Sequence, residues 1–243
     1  MNFFKDLIKM LFVNLPMLRG SKLEKSLRFA RTYKCNFGSI KFTGQFFQDL
    51  IAYLYLQKKT DGFFVDIGAN DGISGSNTYA LEQMGWKGIC IEPQPDVYRI
   101  LKKYRKCDCY NVALSTETHG GGGGNMQFAK IHGMSGRSGF IDLVSEYYKT
   151  ENEKKYKVEY INVEITTFEK IMSKYPTVTH IDFMSIDVES HEMTILETID
   201  FNKYRFGIIT IEKSEPEKIK TFMLDKEYKC FMEIGADLMF IPK

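Results

Sequence analysis

The sequence has no strong excess of charge of either sign. Its 33 basic and 31 acidic residues leave a formal charge of +2 over 243 residues, spread along the chain. A nucleic-acid-binding domain usually shows a clustered basic face, so we expect no nucleic-acid partner. Apolar residues make up 44% of the chain, which is enough for one compact domain with a buried core.

Paired cysteine motifs are also missing. The five cysteines form neither a C-x-x-C pair nor an even set, and we interpret them as reduced thiols in a cytosolic protein. Cys107 and Cys109 flank Asp108 without the second pair of ligands that a tetrahedral zinc site needs, so we expect no zinc. The cysteines are Cys35, Cys90, Cys107, Cys109 and Cys230.

The N-terminal apolar stretch is too short to span a bilayer. It is interrupted by Lys5, Asp6 and Lys9 and lacks a small-residue cleavage site, which argues against a signal peptide. Its apolar residues recur at helical spacing, and we predict a helical extension over residues 1–41. This helix would pack on the domain, on a second copy or on a membrane surface. We therefore expect a cytoplasmic protein, with peripheral contact to the inner membrane as an alternative.

Residues 42–243 alternate short apolar runs with amphipathic segments, which predicts an α/β domain with a mostly parallel, Rossmann-like sheet of seven strands. Helices should cover both faces. A tight turn at Gly235-Ala236 makes the last strand antiparallel, which is not typical of dinucleotide-binding domains. The predicted strands are 63–67, 88–91, 109–112, 181–186, 207–211, 228–234 and 237–241. The predicted helices are 44–57, 76–84, 95–104, 191–198 and 215–225.

A long stretch between the third and fourth strands resists assignment. Residues 116–159 contain five consecutive glycines, Gly120 to Gly124, and a charged segment. We predict a long loop insertion, although residues 125–128 have the composition of a strand.

Polar side chains follow nearly every predicted strand of the parallel sheet. They are Asp66, Glu92, Asn111, Asp187 and Glu212. Ligands of open parallel sheets bind outside the carboxyl ends of the strands, so these residues predict one shared site.

The loop that begins at Asp66 has glycines where a chain must turn tightly and admit a ligand, at Gly68 and Gly72. Asp66 and Asp71 make this loop acidic, which favours a ligand with a cationic amine and a sulfonium over a phosphate. Glu92 follows about twenty residues later, where an acid can accept hydrogen bonds from both hydroxyls of a ribose.

Four segments together resemble the FkbM family of class I methyltransferases: VDIGANDGISGSNTYALE, GWKGICIEPQP, NVALS and IDFMSIDVESHE. The similarity covers roughly residues 42–212. It implies S-adenosylmethionine as methyl donor and a hydroxyl, often on a sugar or a natural product, as acceptor. One departure is Ser190, where the family pattern usually has glycine; if that position needs a positive φ, serine costs about 1 kcal/mol.

The resemblance also implies roles for single residues. The methionine moiety would face Asp66, Gly68, Asn70 and Gly72. Glu92 would lie at the ribose, Asn111 and Val112 at the adenine, and Asp187 beside the sulfonium. Ala69 and Pro93 are further residues expected to bind the cofactor.

The acceptor hydroxyl must lose a proton, and a polar cluster of Asp187, Glu189, His191 and Glu192 follows the fourth predicted strand. We predict His191 as the general base, with Asp187 and Glu189 beside it; the alternative is that His191 only caps a helix. Asp187 and Glu212 also offer oxygen ligands for a divalent cation such as Mg²⁺.

We therefore predict O-methylation of a sugar in a glycan or glycoconjugate, as in polysaccharide biosynthesis. The alternatives are methylation of a small natural product and a non-catalytic S-adenosylmethionine-binding partner subunit. A nicotinamide-dependent dehydrogenase or epimerase is disfavoured. Asn70 stands where a phosphate-binding fingerprint has glycine, and no suitably placed Tyr-x-x-x-Lys pair follows.

Overall fold

A computed structural model describes residues 36–37, 40–116, 124–131, 138–140 and 157–243. The helix predicted near the N-terminus and Cys35 lie outside these residues. Two very short strands, β1 (Asn36–Phe37) and β2 (Ile40–Lys41), pair antiparallel at the end of the segment that we predicted as a helical extension.

Helix α1 (Gln48–Tyr55) begins four residues later than predicted. The residues before it form a turn whose amides donate to the Asp49 carboxylate, from Thr43 at 2.7 Å and from Gly44 at 3.0 Å. Phe47 then adopts a left-handed conformation with φ 64°, which a helix interior does not allow. The local hydrogen bonds of Asp49 thus define where this helix starts.

The next elements follow the prediction closely. They are β3 (Phe63–Ile67), α2 (Tyr79–Gln83), β4 (Lys87–Ile91), α3 (Pro95–Tyr104) and β5 (Asp108–Tyr110), and the three strands are parallel neighbours. The third strand ends two residues before the predicted end. Asn111 leaves the sheet because its side chain amide donates to the carbonyls of Glu92 and Pro93, each at 2.9 Å.

A second sheet takes its strands partly from the region predicted as a loop. Strands β6 (Ala113–Leu114), β7 (Gly124–Ile131), β8 (Gly139–Phe140) and β9 (Val158–Thr166) form it in the order β6-β9-β7-β8. The predicted loop insertion therefore contains strand residues at 124–131, 139–140 and 158–159, of which only residues 125–128 were indicated by their composition. Eight residue pairs join β7 to β9, a pairing across a long sequence separation that local patterns do not show.

The chain then returns to the large sheet through helix α4 (Phe168–Met172), which was not predicted. The remaining elements are β10 (His180–Ile186), α5 (Glu192–Glu197), β11 (Arg205–Glu212), α6 (Pro216–Asp225), β12 (Tyr228–Ile234) and β13 (Asp237–Pro242). The seven-stranded sheet has the order β12-β13-β11-β10-β3-β4-β5. Strand β13 runs antiparallel to both of its neighbours, as the tight turn predicted.

Buried apolar clusters cover both faces of the large sheet. Side chains alternate between the faces, so that Val65 and Ile67 pack on one cluster and Phe64 on the other. This two-sided burial is expected of parallel strands between helices. Among the helices that the structure describes, none is long and apolar enough to cross a membrane. Four cysteines of the described residues, Cys90, Cys107, Cys109 and Cys230, are free thiols.

Candidate active site

A cavity of about 340 Å³ opens at the carboxyl ends of the central strands. The register of the sheet explains its position, because Ile67, Ile91, Ile186 and Ile211 are aligned across β3, β4, β10 and β11. The polar residue that follows each of these strands therefore emerges at the same edge. The large sheet thus brings together residues that lie far apart in the sequence.

The loop after β3 is joined to both neighbouring strands by its backbone. The amides of Gly68 and Ala69 donate to the carbonyl of Ile91 at 3.0 Å, and the amide of Asp187 donates to Ile67 at 3.0 Å. Gly68 has φ 84°, and a Cβ atom there would lie 1.8 Å from the carbonyl oxygen of Asp187. Only glycine permits this close approach of two chains.

Glu92 lies at the cavity wall with 4% of its surface exposed. Its carboxylate accepts from the amide of Asn70 at 3.0 Å and from the amide of Gln94 at 2.9 Å. Burial raises the pKa of Glu92 to about 7, although these backbone hydrogen bonds oppose the rise. The structure thus holds a carboxylate where an acceptor for ribose hydroxyls was predicted.

Most of the predicted donor-site residues line the cavity, but two do not. Ala69, Asn70, Pro93 and Val112 are among the lining residues, with Asp66, Gly68 and Glu92. Asn111 instead supports the loop after β4 through its two hydrogen bonds to carbonyl groups. Gly72 packs against the buried side chain of Arg105, and its carbonyl accepts from that guanidinium at 3.2 Å. These two residues shape the site without lining it.

Asp66 contacts the cavity but is largely engaged with protein groups. Its carboxylate accepts from the hydroxyl of Thr78 at 2.5 Å and lies 4.0 Å from the guanidinium of Arg105. Burial raises the pKa of Asp66, and the charge of Arg105 partly offsets this effect. The negative charge of Asp66 is therefore balanced inside the protein.

Three carboxylates gather beyond β10 and β11. Asp187, Glu189 and Glu212 each offer an oxygen within 4.8 Å of the others. Burial and the charge of Glu212 raise the pKa of Asp187 well above its usual range, while burial and Glu189 raise the pKa of Glu212 to about 8. The side chains of Asp187 and Glu212 form a hydrogen bond with each other, which requires this pair of carboxyl groups to hold one proton.

Glu192 has a different task in the same cluster. Its carboxylate accepts from the amides of Val188 at 3.2 Å and Ser190 at 3.3 Å, and also from the hydroxyl of Ser214. Glu189 and Ser190 have φ values of 55° and 77°, so the loop makes two consecutive left-handed steps. Ser190, where the resemblance noted from the sequence implies glycine, therefore has a positive φ.

His191 precedes helix α5, and its backbone carbonyl accepts the first hydrogen bond of that helix. Its side chain makes no capping hydrogen bond, so side-chain capping does not explain this histidine. The ring is 6% exposed, lines the cavity and packs edge-on against Phe140, with 4.8 Å between ring centroids. The geometry therefore places His191 in the same cavity as Asp187 and Glu189.

Sequence reasoning missed several lining residues. Phe128 and Phe140 lie on the second sheet and Ser138 directly precedes β8, so that residues from the region predicted as a loop reach the cavity. Asp237 reaches the cavity from the start of β13, where its carboxylate accepts from the side chain amide of Gln48. Asp237 follows the predicted Gly235-Ala236 turn, so its position was predictable, but its partner on α1 was not.

Comparison with known proteins gives one family match. The Methyltransferase FkbM domain family matches residues 66–230 of this chain. A search of curated protein sequences finds no significant match.

Several solved structures resemble the fold at low sequence identity. A Pyrococcus horikoshii protein, provisionally described as an RNA methyltransferase, is 12% identical, with a TM-score of 0.42 over 90% of this chain and 96% of that chain. The precorrin-6y C5,15-methyltransferase of Geobacter metallireducens is 10% identical, with a TM-score of 0.39 over 79% of this chain and 85% of that chain. A methyltransferase from Pyrococcus furiosus is 13% identical, with a TM-score of 0.37 over 91% of this chain and 98% of that chain. At these TM-scores, nothing about an acceptor can be carried over.

Proposed function

The chain belongs to the FkbM methyltransferase family, and we propose that it transfers a methyl group from S-adenosylmethionine to a hydroxyl of a sugar in a glycan or glycoconjugate. The observation that carries this proposal is the juxtaposition of Glu92 and His191 in one cavity at the carboxyl edge of the sheet. Glu92 suits the ribose of the donor, and His191 suits the deprotonation of an acceptor alcohol.

The donor would lie across the loop after β3. Glu92 would accept the ribose hydroxyls, with Pro93 and Val112 beside the adenine and the backbone of Gly68 to Asn70 beside the methionine moiety. All of these residues line the cavity. Among the described lining residues there is no lysine or arginine to bind a phosphate, whereas an ionised Glu92 would attract a sulfonium.

Methyl transfer from a sulfonium is an in-line displacement, so the main task of the protein is to align the acceptor oxygen with the methyl carbon. The acceptor oxygen forms the new bond to carbon while the bond from carbon to sulfur breaks, and the hydroxyl proton passes to a base. His191 is our candidate for that base, because a neutral imidazole accepts protons near pH 7. Asp187 and Glu189 line the same cavity.

The charge of the cavity supports a neutral acceptor. Among the lining residues that the structure describes, none is lysine or arginine. Six are acidic: Asp66, Glu92, Asp187, Glu189, Glu212 and Asp237. A phosphorylated acceptor would find no cationic side chain among these lining residues and would be repelled by the acids that are ionised, whereas a sugar hydroxyl brings no charge. Among sugar acceptors, we expect neutral sugars to be methylated in preference to phosphosugars.

Asp187, Glu189 and Glu212 are also the groups that would hold a divalent cation such as Mg²⁺, which would lower the pKa of an acceptor hydroxyl. This part of the proposal is tested separately with a chelator. Full methyl transfer after treatment with EDTA would eliminate the cation, and loss of transfer that added Mg²⁺ restores would support it.

Two further parts of the proposal concern the surroundings of the enzyme. We propose a cytoplasmic reaction, with S-adenosylmethionine and a sugar-containing acceptor as partners and no nucleic acid. Residues 1–41 are the candidate segment for contact with a membrane surface or a second copy. Truncation of this segment, followed by vesicle flotation and measurement of the molar mass, tests that role.

The test of the reaction uses labelled S-adenosylmethionine with a panel of neutral sugars, phosphosugars and hydroxylated natural products. We expect His191→Ala to lower turnover by about 100-fold or more, because general base catalysis contributes about that much, with little change in the affinity for S-adenosylhomocysteine. His180→Ala is the matched control, since the side chain of His180 is 57% exposed at the opposite end of β10.

The outcomes separate the alternatives. Unchanged turnover of His191→Ala would remove this residue from the mechanism. Donor binding by the wild-type protein without transfer to any acceptor would favour a non-catalytic partner subunit. Methylation of natural products alone would retain the enzyme but replace the sugar.

A further inference from the structure

The loop that would hold the donor has an unusual backbone. Within residues 68–75, Gly68, Asn70, Gly72 and Gly75 all have positive φ values, between 50° and 84°. Such a chain is neither helix nor strand, and few main-chain hydrogen bonds hold it internally. The amide of Gly72 donates to Ala69 at 3.0 Å. Within the loop, the Asp71 carboxylate accepts from the amides of Ile73 at 2.8 Å and Ser74 at 2.7 Å, and side chains from outside must supply the rest of its support.

One side chain from outside does so. Arg105 directly follows α3, and its side chain is fully buried. Its guanidinium donates to the carbonyl of Gly72 at 3.2 Å, to the hydroxyl of Ser76 at 3.4 Å and to the hydroxyl of Thr78 at 3.0 Å. A single planar group thus contacts the middle and the end of the loop at three points.

The same guanidinium is tied to the carboxyl end of β3. Thr78 accepts from Arg105 and donates to Asp66, so that a hydroxyl links the guanidinium to the acid that begins the loop. Glu82 accepts from the Nε atom of Arg105 at 3.1 Å. With Asp66 at 4.0 Å, two carboxylates offset the buried positive charge. Arg105 therefore connects β3, the loop, α2 and the end of α3.

Packing adds to these hydrogen bonds. A Cβ atom on Gly72 would lie 2.5 Å from Leu101 Cδ1 and 2.8 Å from Arg105 Cγ, so the loop rests directly on the aliphatic part of the arginine. The guanidinium carbon lies 5.3 Å from the ring centre of Phe64, on the strand that leads into the loop. Lysine has one donor group in place of the guanidinium fork and cannot reproduce this set of contacts.

We propose that Arg105 is a positioning residue, which fixes the loop of residues 68–78 in the conformation that binds the methyl donor. Arg105 does not line the cavity, so it acts through the backbone of this loop and through Asp66. This inference rests on the proposed function, because it assumes that the loop binds S-adenosylmethionine. The affinity for the donor would thus depend on Arg105, a residue that the donor does not contact.

The experiment measures the affinity for S-adenosylhomocysteine by calorimetry and the melting temperature of the same preparations. We expect Arg105→Lys to weaken binding at least tenfold. The dependence of transfer on donor concentration should show a raised KM for the donor, with kcat at saturating donor within a few-fold of the wild type.

Thr78→Val provides a milder variant, should Arg105→Lys fail to fold. It removes the hydroxyl between Arg105 and Asp66 at nearly constant volume, and we expect at least threefold weaker binding. The matched control is Asp182→Asn. Like Asp66, Asp182 is a buried carboxylate on the large sheet, and it accepts hydrogen bonds from Lys59 at 2.8 Å and from the amide of Phe63 at 2.9 Å. Unlike Asp66, it lies near the amino end of its strand, β10, and therefore away from the donor loop. This control should lower the melting temperature and leave the affinity unchanged.

The results distinguish this inference from the proposed function. If the wild-type protein does not bind S-adenosylhomocysteine, the proposed function is wrong and this inference fails with it. If the wild type binds and the folded variants of Arg105 or Thr78 bind within twofold of it, only the positioning role is overturned. Equal loss of affinity in Asp182→Asn at a matched melting temperature would also overturn it, because the effect would then reflect general destabilisation.

Discussion

Replacing Glu92 by glutamine should make the unliganded protein less sensitive to pH while weakening donor binding. Glu92 is 4% exposed, and burial raises its pKa from 4.5 to about 7. The folded protein therefore holds the proton of Glu92 more tightly than the unfolded chain does. Stability is lost as the pH rises from about 4.5 to about 7, because over this range folding takes up a proton.

The size of the effect follows from the two pKa values. Their difference corresponds to about 3 kcal/mol of destabilisation at pH 8, where the folded group is ionised, against about 1 kcal/mol at pH 5.5. The difference in destabilisation between pH 5.5 and pH 8, about 2 kcal/mol, corresponds to roughly 4–8 °C in melting temperature for a chain of this length. Glutamine removes this contribution. It also leaves one of the amides of Asn70 and Gln94 without its acceptor, a cost that does not depend on pH.

Thermal unfolding of the wild type and of Glu92→Gln, measured from pH 5.5 to pH 8 without ligand, tests this reasoning. The difference in melting temperature should shift in favour of the variant as the pH rises. Glu164→Gln, which removes an exposed carboxylate on β9, should follow the wild type. If the melting temperatures of the wild type and of Glu92→Gln change with pH in parallel, the destabilisation assigned to ionised Glu92 is refuted. The affinity for S-adenosylhomocysteine at pH 8 should fall roughly 10-fold to 100-fold, as expected for lost hydrogen bonds to a charged group.

Two further predictions concern the backbone conformation of the loops after β3 and β10. Gly68→Ala should destabilise the protein by about 2–4 kcal/mol in denaturant unfolding, because the new Cβ would meet the carbonyl of Asp187 at 1.8 Å. Gly85→Ala, also at a positive φ but 3.2 Å from the carbonyl of Thr60, should cost less; equal costs would mean that the conformation and not the contact matters. Ser190→Gly should stabilise by about 1 kcal/mol because Ser190 has φ 77°, whereas Ser190→Ala should bring no gain. A gain from alanine would show that strain at Cβ is not the cause.

The large sheet was predictable because its information is local. Each strand is a short apolar run between turn residues, and β3 and β12 have the predicted bounds. The polar residues after the strands were also predictable, since parallel strands bring their carboxyl ends to one edge. Thus Glu92, Asp187 and Glu212 could be grouped from the sequence, and the structure places them around one cavity.

The second sheet was not predictable in the same way. Strand β7 follows a run of glycines, and its partner β9 lies about thirty residues further on. Nothing in either segment alone indicates that Gln127 faces Asn162 or that Phe128 faces Ile161. The positions of Asn111 and Gly72 outside the cavity lining could not be predicted for a related reason. Their side-chain and packing partners come from other loops, and sequence position alone does not separate lining the cavity from supporting it.

The two halves of the cavity are held by different kinds of contact, and this difference explains why a sequence reveals the donor more readily than the acceptor. On the donor side, backbone hydrogen bonds between strand ends, such as those from Gly68 and Ala69 to Ile91, fix the geometry within short motifs. On the side where we propose that the acceptor binds, Phe140 and Asp237 come from distant strands, β8 and β13. Substitutions at these two positions can therefore alter acceptor choice without disturbing the main-chain contacts that the donor needs. Donor recognition is consequently expected to tolerate changes in the second sheet that abolish transfer to a given sugar.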